Sequence, residues 1–172
     1  PRGTKSNTTP RGSTLEPLQP LSVTLGVQNV SFVAQAVDWI PESLYEIVRA
    51  AYHHKGFSFV RIVQRCPEWL PKVWDPWLHD PKRILMLDHP QGIRVSDGLK
   101  QVYQSQLAHD PSNLDRAREI ASDTDRIPVG ILYRNPQVPC YEDLRATPAL
   151  RTTANLKKGL EAELDKFTFW PQ

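Results

Sequence analysis

A cysteine followed by proline, Cys66-Pro67, comes directly after a nearly continuous apolar run over residues 57–64. The run does not alternate cleanly between apolar and polar residues, which predicts a β-strand covered on both faces in a parallel sheet. Ligands and cofactors collect beyond the carboxyl ends of such strands, and Cys66 lies there. A thiolate followed by proline is one local pattern found around iron–sulfur clusters. The alternative is a reduced cysteine that packs as a small apolar residue, which by itself is the more frequent role.

Other residues that could carry chemistry are few and scattered. Cys140 does not form a CxxC pair with the first cysteine, and the five histidines show no metal-ligand spacing. His54 is interpreted as a surface residue at a helix end, and His109 as part of a turn. The sequence contains no GxGxxG motif, no phosphate-binding loop and no locally supported serine–histidine–aspartate set. These residues do not predict an enzyme that is complete in this chain, and Cys140 is interpreted as structural.

The composition indicates a globular protein rather than a disordered or nucleic-acid-binding one. The 172 residues are 40% hydrophobic and 23% charged, with a net charge of +2 and no basic run interleaved with aromatic residues. No apolar stretch approaches the length that spans a membrane. Two cysteines argue against a disulfide framework, so a reducing cytoplasm is expected. Because the chain begins at Pro1 without Met, we expect a processed product, a fragment or the ordered part of a longer polypeptide.

The elements that would position Cys66 form a predicted strand–helix–strand unit. Residues 29–36 are the first strand, and Pro41 opens a helix whose apolar residues recur at three-and-four spacing. Lys55-Gly56 ends that helix before the second strand at 57–64. Such a unit implies two parallel strands joined by a right-handed crossover. The sequence therefore predicts Cys66 at the carboxyl edge of a parallel sheet.

The segment that follows Cys66 alternates tryptophan with proline. Residues 67–82 contain Trp69, Trp74, Trp77 and four prolines, and proline disrupts both helix and strand. Three exposed tryptophans would form an adhesive apolar patch. We therefore expect at least two of them to be buried, either over the Cys66 end of the sheet or in an interface with another chain.

The remaining elements follow from periodicity and turn residues. Residues 1–20 predict a loop that is rich in Gly, Pro, Ser and Thr, followed by a short helix. Downstream, the pattern predicts a strand at 83–87, helices at 97–108 and 113–123, a strand at 127–134 and a C-terminal helix at 149–167. The last helix carries an apolar stripe that we expect to dock on this chain or on a partner subunit.

Three blocks of this sequence together resemble the β subunit of the 2-oxoacid:ferredoxin oxidoreductases, the subunit that binds thiamine diphosphate. Residues 1–12, with the pattern P-x-G-x-K-x-x-T-T-P-x-G, are similar to the loop after the family's TGGQ segment. Residues 30–67 carry the most specific block, and residues 109–134 carry the third, which is similar to the family's C-terminal extension. The first block is closer to the 2-oxoglutarate and branched-chain types than to the fused pyruvate enzymes.

The resemblance implies an α/β fold in three parts. Residues 1–66 would be the C-terminal part of a thiamine-diphosphate-binding parallel-sheet domain with helices on both faces. Residues 67–145 would be the C-terminal extension of the β subunit, and residues 146–172 a C-terminal helical tail. The chain would then be the C-terminal half of a β subunit.

The resemblance also assigns site residues. Cys66 falls on the fourth cysteine of the family's 4Fe–4S cluster, and Lys5, Thr8 and Thr9 would line or cover the cleft for thiamine diphosphate. The sequence lacks the CxxC pair, the further cysteine, and the Gly-Asp-Gly and Asn positions through which the family binds the cluster, Mg²⁺ and the diphosphate. Those residues would belong to a part of the protein outside this sequence.

The implied activity is the oxidative decarboxylation of a 2-oxo acid to its acyl-CoA, with electrons passed through the cluster to ferredoxin. The favoured substrate is 2-oxoglutarate. The implied partners are an α subunit, ferredoxin, coenzyme A and the 2-oxo acid, in a dimer of αβ heterodimers. The alternative is a non-catalytic interaction module with a Trp/Pro-rich interface and a docking helix. Iron content, or a CxxC and a Gly-Asp-Gly upstream of Pro1, would distinguish the two.

Overall fold

The computed structural model describes residues 2–68, 72–145 and 153–167. The chain divides into two compact units, Pro1–Val138 and Pro139–Gln172. The strands of the first unit are β1 (Phe32–Val37), β2 (Phe59–Val63), β3 (Ile84–Asp88), β4 (Gln106–Ala108) and β5 (Ile127–Arg134). Its α-helices are α1 (Pro20–Leu25), α2 (Pro41–His53), α3 (Asp75–Leu78), α4 (Asp97–Val102) and α5 (Leu114–Ala121). None of the described helices combines the length and apolar character that a bilayer crossing requires.

The five strands form one mixed sheet in the order β2-β1-β5-β3-β4. β1 and β2 are parallel, and β3 is parallel to both β4 and β5, whereas β1 and β5 are antiparallel. The α/β fold class is confirmed, but the sheet is not parallel throughout. The apolar run of β5 indicates a strand that is buried on both faces. Such burial favours parallel neighbours but does not require them, and the antiparallel pairing of β5 with β1 is the exception here.

The predicted strand–helix–strand unit is confirmed as β1, α2 and β2. Helix α2 begins at Pro41, as predicted, and its buried residue Ile47 packs into the core beside β1. The turn back into β2 passes through Gly56, whose φ of +118° lies in the region that favours glycine. Next to it, the hydroxyl of Ser31 donates to the carbonyl of Phe57 at 2.8 Å and fixes the start of the second strand.

β2 is less buried than the sequence predicts. Phe57, which precedes the strand, is 64% exposed, and Ile62 within it is 46% exposed, whereas Val63 is buried. The interpretation of residues 57–64 as a strand covered on both faces is therefore wrong for this chain. The physical reason is position, because β2 is the end strand of the sheet and pairs only with β1 among the described residues.

Helices cover both faces of the sheet, as predicted. On one face, residues of α2 and α4 pack against a cluster that includes Ile84 and Met86 of β3. On the other face, α1 and α5 contribute Leu25 and Ile120 to a second cluster. Gly130 of β5 has a φ of +141°, and a Cβ at this position would lie 2.8 Å from the Cβ of Leu87 in the neighbouring strand β3.

The Trp/Pro segment packs on this fold. Trp74 and Trp77 are partly buried against the first cluster, and their rings meet edge-to-face with centroids 5.6 Å apart. The indole Nε1 of Trp77 donates to the carbonyl of Asp125 at 3.2 Å. Trp69 lies outside the described residues. Packing against the fold, rather than free exposure, is thus confirmed for two of the three tryptophans.

Most of the downstream elements are confirmed, with one error. β3, α5 and β5 lie where the sequence predicts them, but the helix predicted at 97–108 ends at Val102, and residues 106–108 form β4. The amide of Met86 donates to the carbonyl of Ser105 at 2.9 Å and brings this segment alongside β3. A strand of three residues is too short to produce a periodic signal, so the helical pattern extends over it.

The second unit contains α6 (Tyr141–Arg145) and α7 (Thr153–Asp165). The helix predicted at 149–167 is confirmed over the range of α7, whereas residues 149–152 lie outside the described part of the chain. Its apolar stripe is exposed in this chain and consists of Leu156, Leu160, Leu164 and Phe167. The docking of that stripe stays a prediction.

Candidate functional site

The carboxyl ends of β1 and β2 meet at one edge of the sheet because the two strands are parallel. The chain leaves β1 through Asp38 and leaves β2 through residues 64–66. The amide of Asp38 donates to the carbonyl of Val63 at 3.0 Å and extends the ladder by one bond. This edge is where a parallel sheet presents ligand-binding residues.

Asp38 holds the residue that precedes Cys66. Its carboxylate accepts from the Nε of Arg65 at 3.0 Å and from the backbone N–H of Arg65 at 3.3 Å. The Arg65 guanidinium also lies over the ring of Trp39, 5.9 Å from the ring centroid. Both the backbone and the side chain of Arg65 are thereby fixed against the end of β1, and Cys66 follows directly.

Cys66 is half-buried beyond the end of β2. A thiol at such a place is a suitable soft ligand for iron. Across the described ranges 2–68, 72–145 and 153–167, no group of three or more His, Cys, Asp or Glu side chains is placed to hold a metal ion. The described residues therefore supply one thiol that suits a cluster ligand, and they do not complete a four-ligand site.

Lys5, Thr8 and Thr9 lie together in a small hairpin near the N-terminus. Ser6 and Thr9 form an antiparallel bridge, and the hydroxyls of Ser6 and Thr8 are 3.2 Å apart. All three predicted residues are exposed, so their ammonium and hydroxyl groups are accessible to a ligand. The structure brings these three together, whereas Cys66 lies with Asp38 and Arg65.

Comparison with known proteins identifies relatives of this chain. A family model described as the C-terminal part of the pyruvate ferredoxin oxidoreductase beta subunit matches residues 99–148. A 2-oxoacid:ferredoxin oxidoreductase subunit beta from Sulfolobus sp is 26% identical over 181 residues, covering 94% of this chain and 51% of the relative. The resemblance to the β subunits of 2-oxoacid:ferredoxin oxidoreductases is confirmed.

Two further similarities fall among these oxidoreductases. The 2-oxoglutarate oxidoreductase subunit KorB from Mycobacterium tuberculosis is 40% identical over 65 residues, which cover 38% of this chain and 17% of KorB. A 2-oxoglutarate:ferredoxin oxidoreductase from Magnetococcus marinus, solved with 2-oxoglutarate, coenzyme A and succinyl-CoA bound, has a fold that matches with a TM-score of 0.62 at 24% identity. That match covers 92% of this chain and 50% of the solved chain. The chain thus spans about half the length of the Sulfolobus protein and of the solved chain.

This chain has two buried histidines, His54 and His109, whose burial the sequence did not predict. His54 is buried with its ring 5.2 Å from that of Phe32, and burial, with a smaller effect from Arg134, lowers its pKa. The interpretation of His54 as a surface residue is therefore wrong. It follows α2 in an extended conformation, which a helical projection of the sequence does not anticipate.

His109 is buried as well, and burial lowers its pKa. Its Nε2 lies 2.6 Å from the carbonyl of Leu132. Because a carbonyl only accepts, that nitrogen carries the proton. Its other ring nitrogen has no hydrogen-bond partner among the described residues. The turn position predicted for His109, between β4 and α5, is right, but the ring ties that turn to the middle of the sheet.

Proposed function

We propose that this chain is part of the β subunit of a 2-oxoacid:ferredoxin oxidoreductase and is inactive alone. The observation that carries the proposal is the position of Cys66, held by Asp38 and Arg65 at the carboxyl edge of two parallel strands. The similarity to β subunits over 94% of the chain supports it. In the overall reaction a 2-oxo acid, coenzyme A and two oxidised ferredoxins give an acyl-CoA, carbon dioxide, a proton and two reduced ferredoxins.

Cys66 would supply one thiolate to a 4Fe–4S cluster, at an iron–sulfur distance of about 2.3 Å by analogy with other metal–thiolate bonds. The other ligands, and the residues that bind Mg²⁺, would come from a part of the protein outside this sequence. Thiamine diphosphate and the cluster, when bound, supply the decarboxylation and electron-transfer chemistry. The protein would orient them, and the rigid strand end would fix the thiolate.

Lys5, Thr8 and Thr9 would line or cover the cleft for thiamine diphosphate. The exposed hairpin presents one ammonium and two hydroxyl groups. Such groups donate hydrogen bonds to phosphate and carboxylate oxygens. The hairpin is therefore chemically suited to an anionic cofactor or to a 2-oxo acid.

We propose 2-oxoglutarate as the substrate. Residues 1–12 resemble the 2-oxoglutarate type, and both KorB and the Magnetococcus enzyme carry 2-oxoglutarate in their names. The partners would be an α subunit and ferredoxin, in a cytoplasmic dimer of αβ heterodimers. Turnover of the full-length protein with its α partner on several 2-oxo acids, read out as reduced ferredoxin, tests the substrate.

The ligand role of Cys66 is tested by comparing Cys66→Ser and Cys66→Ala with Cys140→Ser in the full-length complex. We expect the two Cys66 variants to lose cluster iron and ferredoxin reduction while they retain thiamine diphosphate and the fold. Cys140→Ser is the matched control, because the Cys140 thiol lies 2.6 Å from Glu142 Oε2 and has no proposed role in the cluster. The complex with this variant should keep its cluster iron. Full iron content and turnover in both Cys66 variants would contradict the assignment. A full-length protein that binds neither iron nor thiamine diphosphate would favour the interaction module.

A further inference from the structure

A cavity of about 280 Å³ lies within the first unit, beside β1 and β2. Its walls come from the two strands, from α1 and the loop before it, from the Trp/Pro segment and from the turn between α5 and β5. The side chains that matter here are Gln35, Arg61, Trp74, Trp77, Asp123 and Arg126. The volume suits a small ligand rather than a dinucleotide-sized cofactor.

Two tryptophans give the cavity an aromatic wall. Trp74 and Trp77 are held edge-to-face against each other. The Trp77 N–H is already engaged by the carbonyl of Asp125, so this indole presents mainly carbon surface to the cavity. Leu21 and Ala121 add aliphatic surface. An occupant would therefore gain by burying a flat apolar body.

Two of the three charged side chains on the wall pair with each other, and Arg61 is the exception. Arg126 and Asp123 pair at 2.8 Å, and the same carboxylate accepts from the backbone N–H of Asp125 and of Arg126. Gln35 donates to the carbonyl of Pro128 at 2.7 Å, while its Oε1 is buried without a partner among the described residues. These contacts leave the described wall with one uncompensated charge.

That charge is the Arg61 guanidinium. Arg61 pairs in register with Gln35 across β1 and β2 and therefore lies on the same face of the sheet. The side chain is half-buried, and burial lowers its pKa. Within the part of the chain that the structure describes, Arg61 forms no salt bridge. A half-buried cation without an anion is costly, and a guanidinium remains charged at every ordinary pH.

We propose that this cavity binds a small organic monocarboxylate with a flat apolar or aromatic body, its carboxylate on Arg61 and its body against Trp74 and Trp77. A guanidinium matches a carboxylate through two parallel hydrogen bonds. One unpaired positive charge balances a monoanion, whereas a phosphate dianion would leave excess negative charge in a partly apolar site. The proposal does not rest on the proposed function, because it uses neither Cys66 nor the N-terminal hairpin.

The test is calorimetric titration of the full-length protein with phenylacetate, phenylacetamide and inorganic phosphate. We expect phenylacetate to bind at one site per chain with a dissociation constant on the order of 1 mM or tighter, given its size. Phenylacetamide has the same shape but no charge and should bind at least about tenfold more weakly, since a charged hydrogen bond is lost. Phosphate should not compete. Equal affinity for the acid and the amide, or no binding of the acid, would overturn the proposal.

Substitutions of Arg61 test whether this side chain binds the carboxylate. Arg61→Gln should weaken phenylacetate binding by about tenfold or more, and Arg61→Lys by less, because it keeps the charge but loses the planar fork. Arg49→Gln is the matched control, since Arg49 lies on the exposed face of α2 and pairs with Glu46, and it should bind normally. Unchanged affinity in Arg61→Gln would contradict the assignment. If that variant does not fold, the acid and amide comparison on the unmodified protein decides.

Discussion

Asp38 and Arg65 are joined at two points, because the carboxylate at the end of β1 accepts from both the side chain and the backbone N–H of the residue before Cys66. An exposed ion pair by itself contributes little to stability, commonly about 0–1 kcal/mol. The contact to the backbone N–H has a different effect, because it restricts the position of the chain from which the Cys66 thiol projects. The Asp38–Arg65 pair therefore positions the chain at Cys66 more than it stabilises the fold.

Asp38→Ala should remove the contact that holds the backbone of Arg65 at the end of β1. We expect the free energy of unfolding to fall by about 1 kcal/mol or less, while the backbone amide of Arg65 exchanges its hydrogen faster because its acceptor is gone. Hydrogen exchange of that amide, with chemical denaturation beside it, checks the prediction. Glu46→Ala, which removes the exposed pair with Arg49, is the control and should leave the Arg65 amide protected. An unchanged exchange rate in Asp38→Ala would show that the carboxylate does not hold this segment.

Gly130→Ala should be strongly destabilising. A Cβ at this position would lie 2.8 Å from the Cβ of Leu87, and the φ of +141° is strained for any other residue. We expect a loss of about 2–4 kcal/mol in the free energy of unfolding, from overpacking and strain together. Gly98→Ala is the matched control, because Gly98 lies in α4 and no described atom comes within 4 Å of its added Cβ. That change should be neutral or should stabilise the fold by up to about 1 kcal/mol. Similar losses of stability at both sites would contradict the explanation by overpacking and strain at Gly130.

His109 should make stability depend on pH. Burial lowers its pKa in the folded state from the ordinary value of 6.5, so the unfolded chain binds the proton more readily. The free energy of unfolding that this histidine contributes is then present above about pH 6.5 and is lost as the pH falls below it, towards the lowered folded pKa. Burial also lowers the pKa of His54, which acts in the same direction.

Denaturation of the protein at a series of pH values between about 5 and 7.5 measures this loss. His109→Gln removes the titrating group, so its stability should change less over that range than that of the unmodified protein. His53→Gln, at the end of α2, is a control that keeps the buried ring in place. If the slope with pH is the same in His109→Gln as in the unmodified protein, the buried histidine is not its source.

The sequence predicts most of the elements of this fold because their signals are local. Pro41 at the first turn of α2 and the long apolar run of β5 are readable without knowing their neighbours. The predictions that were wrong are those that depend on the rest of the sheet. The apolar run of β2 could not show that this strand ends the sheet, and the run of β5 could not show that it lies antiparallel to β1.

The same distinction between local and non-local information applies to the candidate site. The position of Cys66 after a strand is a local property, and the structure places it at the expected edge. Asp38, which is 27 residues from Arg65, could not be linked to it without the parallel pairing of β1 and β2. The Arg61 cavity was missed for a related reason, since an arginine within an apolar strand has no local feature that shows whether an acidic partner reaches it.

Helices α5 and α4 both begin with a side chain that accepts a hydrogen bond from the backbone N–H three residues later. Asn113 accepts from the amide of Arg116 at 2.9 Å, whereas Ser96 accepts from that of Leu99 at 3.4 Å, which is long for a hydrogen bond. We expect Asn113→Ala to cost about 1 kcal/mol and Ser96→Ala about half of that or less. Helix α5 also packs on the sheet through buried residues, so fraying at its start disturbs the core. Chemical denaturation of the two variants measures the difference, and a larger loss in Ser96→Ala than in Asn113→Ala would show that the cap geometry does not set the cost.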